Sequence, residues 1–357
     1  MTRPVARGSP ETSRPKEPEP MEDALPTVAT SPPGAGTGRS SPRSRDPAPK
    51  SSPGRSGRRR VTGYQWRSIR AGLLYVSPWL IGLMVFIVYP VVYSIALSFT
   101  RYSGMEAPTW VGIQNYISAF TDPLVHKAAS NTAYYAIIAI PLGLLIALVL
   151  AIAMNQNVRE VALYRTIFYA PSLIPAFAMS FIFIVFLNPK FGLFNQILGL
   201  FGGQNVNLLG DPQGVKIAII LMAQFGAGNA ALIFLAGLRN VPKTLYEAAR
   251  VDGASPLRQF FTITLPLISP VVLFNLITGV SGALQVFTEA YVVTDGTGEP
   301  DAGALFYMMY LYRNAFGFAE LGYASALAVL LFLVGLILAL LIFWLSRRLV
   351  NYDVEAN

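Results

Sequence analysis

The chain has 357 residues, 53% hydrophobic and 13% charged, with a formal net charge of +8 and a mean hydropathy of +0.48. Soluble domains carry about 25% charged residues, so this composition points to a chain that meets lipid. The absence of cysteine and the single histidine, His126, exclude disulfides, thiolate metal sites, cysteine nucleophiles and multi-histidine metal centres.

The positive charge is unevenly placed. Residues 1–65 hold 12 Lys/Arg against 6 Asp/Glu, whereas the remaining 292 hold 15 against 13. The basicity therefore belongs mostly to an N-terminal segment, which argues against nucleic acid as the partner of the body. That segment is rich in Pro, Ser, Gly and Arg and poor in large apolar residues, so it reads as a disordered cytoplasmic tail. It has no apolar stretch followed by a cleavage site, so it is not a secretory signal. The run "RSGRRR" (Arg55–Arg60) suits a positive-inside anchor beside anionic membrane lipid.

Crossing a bilayer takes roughly 20 mostly apolar residues. Six stretches meet that length: 72–99, 131–154, 167–187, 215–237, 265–293 and 322–345. Pro78, Pro90, Pro141, Pro171, Pro175 and Pro270 fall inside them, which predicts kinked helices whose freed carbonyls are met by neighbours. Residues 66–349 thus read as one six-helix membrane domain with a core over 127–346, followed by a short C-terminal tail, 350–357. His126, just before the second stretch, reads as a solvated loop residue. Lys216, at the outer end of the fourth stretch, counts with the side opposite the cytoplasm, and Arg313, in the loop before the sixth, reads as an interfacial or loop contact and not a ligand.

With both termini in the cytoplasm, the cytoplasmic segments after the tail hold ten basic residues and the opposite loops five. The opposite loops instead collect acids such as Glu106, Asp122, Asp211 and Asp295. This bias sets the orientation. It also puts the 238–264 loop, between the fourth and fifth stretches, in the cytoplasm.

That loop reads as two short helices. Pro242 suits the first turn of "KTLYEAARV", which is made of good helix formers. Gly253 is placed to end the helix in a left-handed conformation, and Ser255 with Pro256 starts the next. The second helix would carry Leu257, Phe260, Phe261 and Leu265 on one face. Small Ala248 and Ala249, with Glu247, Arg250 and Arg258, make a docking knob for another surface. The plainer alternative is an amphipathic loop resting on its own bundle.

Glu247-Ala248-Ala249, then Gly253 after three residues, then Ile263, Thr264, Leu265 and Pro266 after nine more, resembles the EAA signature of binding-protein-dependent ABC importer permeases. "EAARVDGASPLRQFFTITLPLISP" looks like the carbohydrate-uptake branch, as do "WVGIQNY" (Trp110–Tyr116), "NTAYYAIIAIPLGLLIALVLA" (Asn131–Ala151) and "LGYASALAVLLFL" (Leu321–Leu333). The resemblance implies an all-α polytopic membrane protein with the six-helix type I importer permease fold, in a prokaryotic cell membrane. It implies a chain that forms half of the path for a sugar or oligosaccharide. The implied partners are a second permease subunit, an ATPase dimer and an extracytoplasmic solute-binding protein. It places Glu247, Ala248, Ala249, Arg250, Asp252, Gly253, Ile263, Leu265 and Pro266 in the coupling loop, with Glu247 pairing to a basic group in the ATPase cleft. The run "TDGTGEPDAG" departs from the Gly-Gly-Pro pattern common in that branch.

The chain lacks a G-x-x-x-x-G-K-[ST] phosphate loop, so no cofactor is assigned to it and ATP falls to the partner. "GLFGGQ" (Gly199–Gln204) has no lysine and reads as a loop. The solute path should show as polar groups within apolar helices. Asn275, Thr278, Ser281 with Gly282, Gln285 and Glu289 form one stripe at helical spacing. Gln224, Gly226, Gly228 and Asn229 add polar or open positions in the fourth stretch. Phe287 and Tyr291 offer rings that stack on sugars. The alternative is that these groups bond neighbouring helices. A permease for a non-sugar solute also fits. A self-contained secondary transporter would carry paired repeats, and none is visible. No catalytic constellation suggests an enzyme.

Overall fold

The computed structural model describes residues 63–156 and 161–349. The N-terminal tail with Arg55–Arg60, and the C-terminal tail 350–357, lie outside the described residues. Four helices are long and apolar enough to cross a bilayer: Leu74–Leu97, Pro123–Met154, Ser269–Val293 and Leu321–Arg347. Two bent pairs raise the number to six if each pair is one span, matching the six stretches in order.

Span one contains a wide turn over Met84–Val88, where the Tyr89 N–H reaches the Met84 carbonyl. Pro90 follows directly and has no N–H to give, so the helix opens by one residue instead of breaking. Beyond it lies a hairpin that the all-helical reading missed. Thr100–Arg101 pairs antiparallel with Thr109–Trp110, Thr100 opposite Trp110. Two-residue strands are too short to leave an alternating pattern in sequence. The hairpin is pinned by Asn115, whose amide donates to the carbonyls of Ser98 (2.8 Å) and Thr100 (2.9 Å).

Span two begins at Pro123 rather than 131, because Asp122 caps it by accepting the Leu124 N–H at 2.8 Å and Pro123 opens the first turn. His126 accordingly lies in a helical first turn, 2.9 Å from the Phe120 carbonyl, not in a loop. Span three is not one straight helix. Ala162–Leu173 and Ala176–Phe186 meet at 94°. Pro175 drives Ile174 to an extended backbone, ψ 124°, and the chain turns there.

Span four bends by 43° between Gly214–Gln224 and Ala227–Arg239. Its second half packs along span two through small residues: Ala147, Ala151 and Ala231 are completely buried, beside Phe234 and Ile268. Gly228 is needed for close approach, because a Cβ there would lie 2.9 Å from the Phe168 carbonyl of span three.

A second cluster around Val215, Ile219, Leu305, Phe306, Met309 and Leu327 fastens the segment after span five onto spans two and four. Asn131 donates to the carbonyls of Ala302 (2.8 Å) and Leu305 (2.9 Å), and Thr132 accepts the Tyr307 N–H at 2.9 Å. Lys216, counted among the charges of the outer side, is a buried helix residue. Its Nζ lies 3.3 Å from Asn131 Oδ1 and 5.2 Å from the Tyr134 ring centroid. A buried ammonium needs such partners to offset lost hydration.

Candidate transport site and docking loop

The 240–268 loop is closed by local chemistry. Its helix, Lys243–Val251, starts one residue after Pro242, which sits at the cap with ψ 128°. The helix ends where Gly253 takes φ +73°, letting the Ala254 N–H reach Ala249 O (2.9 Å) and the Gly253 N–H reach Arg250 O (3.0 Å). Ser255 accepts the Arg258 N–H at 3.3 Å and starts Pro256–Gln259. The chain then makes a wide turn over Phe260–Thr264 ahead of Pro266. That extra residue per turn splits the expected apolar face. Leu257 (69%) and Phe261 (58%) are exposed, while Phe260 and Leu265 are half-buried.

The loop has an inner and an outer side. Tyr246 and Ile263 pack against the Phe234, Leu238, Val241 and Ile268 cluster, and the Tyr246 hydroxyl lies 2.8 Å from Thr264 Oγ1. Leu265 and Pro266 are half-buried at the root of span five. Glu247, Ala248, Arg250, Asp252 and Gly253 are exposed, and Ala249 is half-buried between the two sides. Val251 is 89% exposed. Glu247 has no hydrogen bond or ion pair among the described residues.

Between spans two, four and five lies an open cavity of about 590 Å³. It brings together Gln224, Gly226, Asn229, Asn275, Thr278 and Glu289, from positions up to 65 residues apart in the chain's numbering (224 to 289). The bend at Phe225–Gly226 turns Gln224 and Asn229 to the same hollow. Tyr135, Ile140 and Gly143 of span two complete the wall. Sequence reasoning missed them because span two carries no polar stripe, and its only signal was a glycine and a tyrosine at helical spacing.

Ser281, Gln285 and Phe287 are not among the residues that line this cavity, whereas Gly282 and Glu289 are. Within span five the helix Ser269–Leu284 is interrupted at Gln285–Phe287, where Phe287 takes φ −145° and ψ −60°, and helical structure resumes over Thr288–Val293. Gln285 turns its amide back to the Ser281 carbonyl at 3.0 Å. Phe287 joins a ring cluster instead, its centroid 5.1 Å from Tyr291 and 4.9 Å from Tyr312. Within the cavity the donors also turn inward. Asn275 Nδ2 donates to Val271 O (3.0 Å), Thr278 Oγ1 to Phe274 O (3.0 Å) and Gln224 Nε2 to Ile220 O (2.8 Å). Gln224 Oε1 is buried with no partner among the described residues.

A second hollow, about 710 Å³, lies between the hairpin, Gln114, Asn115 and the start of span six. Asp122 anchors it, its Oδ2 accepting from the hydroxyls of Tyr310 and, at 3.1 Å, Tyr323. Burial alone would raise the Asp122 pKa. The hydrogen bonds from Tyr310, the Leu124 N–H, Tyr323 and the Val125 N–H outweigh it and hold the carboxyl below its ordinary value. Tyr310 is pushed up to about 12 by burial first and by its bond to Asp122 second. Arg313 lies not in a loop but at the start of a wide helical turn, Arg313–Gly317, and its guanidinium donates to the Thr297 carbonyl at 2.7 Å.

The family model described as "binding-protein-dependent transport system inner membrane component" matches residues 139–351, a stretch that includes the whole docking loop and most of the cavity wall. The chain belongs to this family. Permeases similar to it include the probable ABC transporter permease protein YesP of Bacillus subtilis, 38% identical over 294 residues (80% of this chain, 95% of that one). The lactose transport system permease protein LacF of Rhizobium radiobacter is 31% identical over 282 residues, covering 78% of this chain and 94% of its own. A permease chain from a bacterial alginate ABC transporter, solved with a pentasaccharide-bound periplasmic protein, shares the fold. Its TM-score is 0.70 at 24% identity, covering 79% of this chain and 97% of that one. This permease is accordingly a membrane transport component and not an enzyme.

Proposed function

We propose that this permease forms half of the translocation path for a sugar or oligosaccharide. The solute is delivered by an extracytoplasmic binding protein, and a separate ATPase drives transport by gripping the 240–268 loop. The observation that carries this reading is the two-sided loop. Its root is tied into the helical core by Tyr246 and Ile263, while Glu247, Arg250, Val251 and Leu257 are exposed, with no side-chain hydrogen bond or ion pair among the described residues. A force applied to the outer side therefore reaches span five through a short, capped segment. Coupling of this kind needs an element that both sites bias.

The solute half of the reading rests on the polar cavity, which no described element of this chain closes on its open side. A second permease subunit is the natural cover. Relatives named for lactose, arabinooligosaccharide and trehalose/maltose transport support a saccharide as cargo. In this reading residues 66–349 are the membrane domain, the charge bias puts both termini and the loop in the cytoplasm, and ATP binds only to the partner.

Purification through a tag on this chain in mild detergent tests the assembly. An ATPase and a second permease should co-purify, and cells lacking the chain should lose uptake of at least one labelled saccharide. Purification of the chain alone, with every saccharide still taken up, would overturn the reading.

A further inference from the structure

Glu289 is the only charged side chain that lines the cavity between spans two, four and five, among the described residues. It is half-buried and makes no hydrogen bond or ion pair with any of them. A carboxylate at membrane depth is costly to keep, and a packing role would pair it. The rest of the wall has the same character. Gln224, Asn275 and Thr278 each turn a donor back to a carbonyl of their own helix, and Gln224 leaves a buried oxygen without a partner. The cavity thus presents acceptors and one negative charge, with the Asn229 amide and the Tyr135 hydroxyl as its donors not turned back to the chain among the described residues. Its complement is a solute rich in O–H or N–H donors.

We infer that Glu289 is a charge filter in the solute path, admitting neutral and amine-bearing saccharides and rejecting those that carry uronic carboxylates. The inference rests on the proposed function, since it takes this cavity as the path. Hydroxyls or an ammonium group satisfy the carboxylate by charge-assisted hydrogen bonds. A uronate brings a like charge into a hollow with no Lys, Arg or His to neutralise it. Like charges several ångströms apart under protein screening discriminate by about tenfold or more.

The test uses the complex purified through a tag on this chain, placed in lipid nanodiscs without any binding protein. Three disaccharide probes of similar size serve: cellobiose (neutral), the chitosan dimer (two amines) and digalacturonate (two carboxylates). Dissociation constants are read by saturation-transfer NMR. Wild type should bind digalacturonate at least about tenfold more weakly than cellobiose. Glu289→Gln should close that gap, weakening cellobiose somewhat and the chitosan dimer more, and Glu289→Asp should keep the wild-type order. Equal binding of digalacturonate and cellobiose by wild type overturns the inference even if Glu289→Gln fails to fold. An unchanged gap in a folded Glu289→Gln complex does the same. Failure of all three probes to bind saturably is a different result: it overturns the cavity as the solute path, and the filter with it.

Discussion

Tyr246 and Thr264 meet hydroxyl to hydroxyl at 2.8 Å, one on the outward loop helix and one at the buried root of span five. The bond lies on the inner side of the loop and ties the helix that carries the docking residues directly to the root of the helix that lines the cavity. Removing it leaves the Thr264 hydroxyl, which is buried, short of one partner. A neutral hydrogen bond of this kind contributes about 0.5–1.5 kcal/mol. Tyr246→Phe should therefore leave the ATPase docked but lower solute-stimulated ATP hydrolysis in proteoliposomes. Full stimulation in the variant would show that the connection carries no coupling.

Glu247 is exposed, and its carboxylate has no hydrogen bond or ion pair among the described residues. Glu247→Lys should leave membrane levels and melting temperature as in wild type, while the ATPase is lost from the purified complex. A like charge set against a basic group in a partner cleft costs several kcal/mol. Retention of a fully active ATPase would place the docking contact elsewhere on the loop.

Gly253 acts through the backbone. At φ +73° a β-branched side chain costs about 1–2 kcal/mol, so Gly253→Val should open the helix end and misdirect Pro256–Gln259. Gly253→Asn tolerates the left-handed region and should keep ATPase binding near wild type. Equal loss in both variants would mean that the glycine is needed for space at the partner surface, not for its turn.

Asn229 and Gln285 give a paired test of the cavity. Asn229 lines it, whereas Gln285 bonds back to Ser281 at the end of its helix. Asn229→Ala should raise the half-saturating solute concentration several-fold, in keeping with one lost hydrogen bond. Gln285→Ala should leave uptake constants where they were. The reverse order would return the path to a continuous span-five stripe.

The Asp122 cluster sets a pH dependence at both ends. Because the folded pKa of Asp122 lies below its ordinary 3.8, its stabilisation is complete above that value and is lost as pH falls through the folded pKa. Tyr310 has the opposite sense: raised from 10.0 to about 12, it stabilises fully below 10 and loses that contribution as pH rises towards 12. The melting temperature in detergent should drop in both limbs. Asp122→Asn should flatten the acid limb and Tyr310→Phe the alkaline one. Parallel wild-type and variant curves would remove the cluster from the titration.

The six apolar stretches and the chemistry of the loop were legible in the sequence because each depends on near neighbours. A membrane span needs only a sustained apolar run, and the turn at Gly253 with the cap at Ser255–Pro256 needs only a few adjacent residues. The EAA spacing was likewise local, which is why the family could be named from it. The two-residue hairpin escaped because its strands are too short to show a period. The cavity was only half visible. Of the stripe Asn275, Thr278, Ser281 with Gly282, Gln285 and Glu289, the positions Asn275, Thr278, Gly282 and Glu289 line the cavity, and the helix interruption at Gln285–Phe287 leaves no periodic mark in the sequence. The burial of Lys216 against Asn131 was decided by packing between residues far apart in sequence. So was the seat of Asp122 beneath Tyr310, 188 positions later. Neither segment carries a sign of the other, because a charged side chain reads as solvent-exposed until a distant partner supplies the hydrogen bonds that water would otherwise provide.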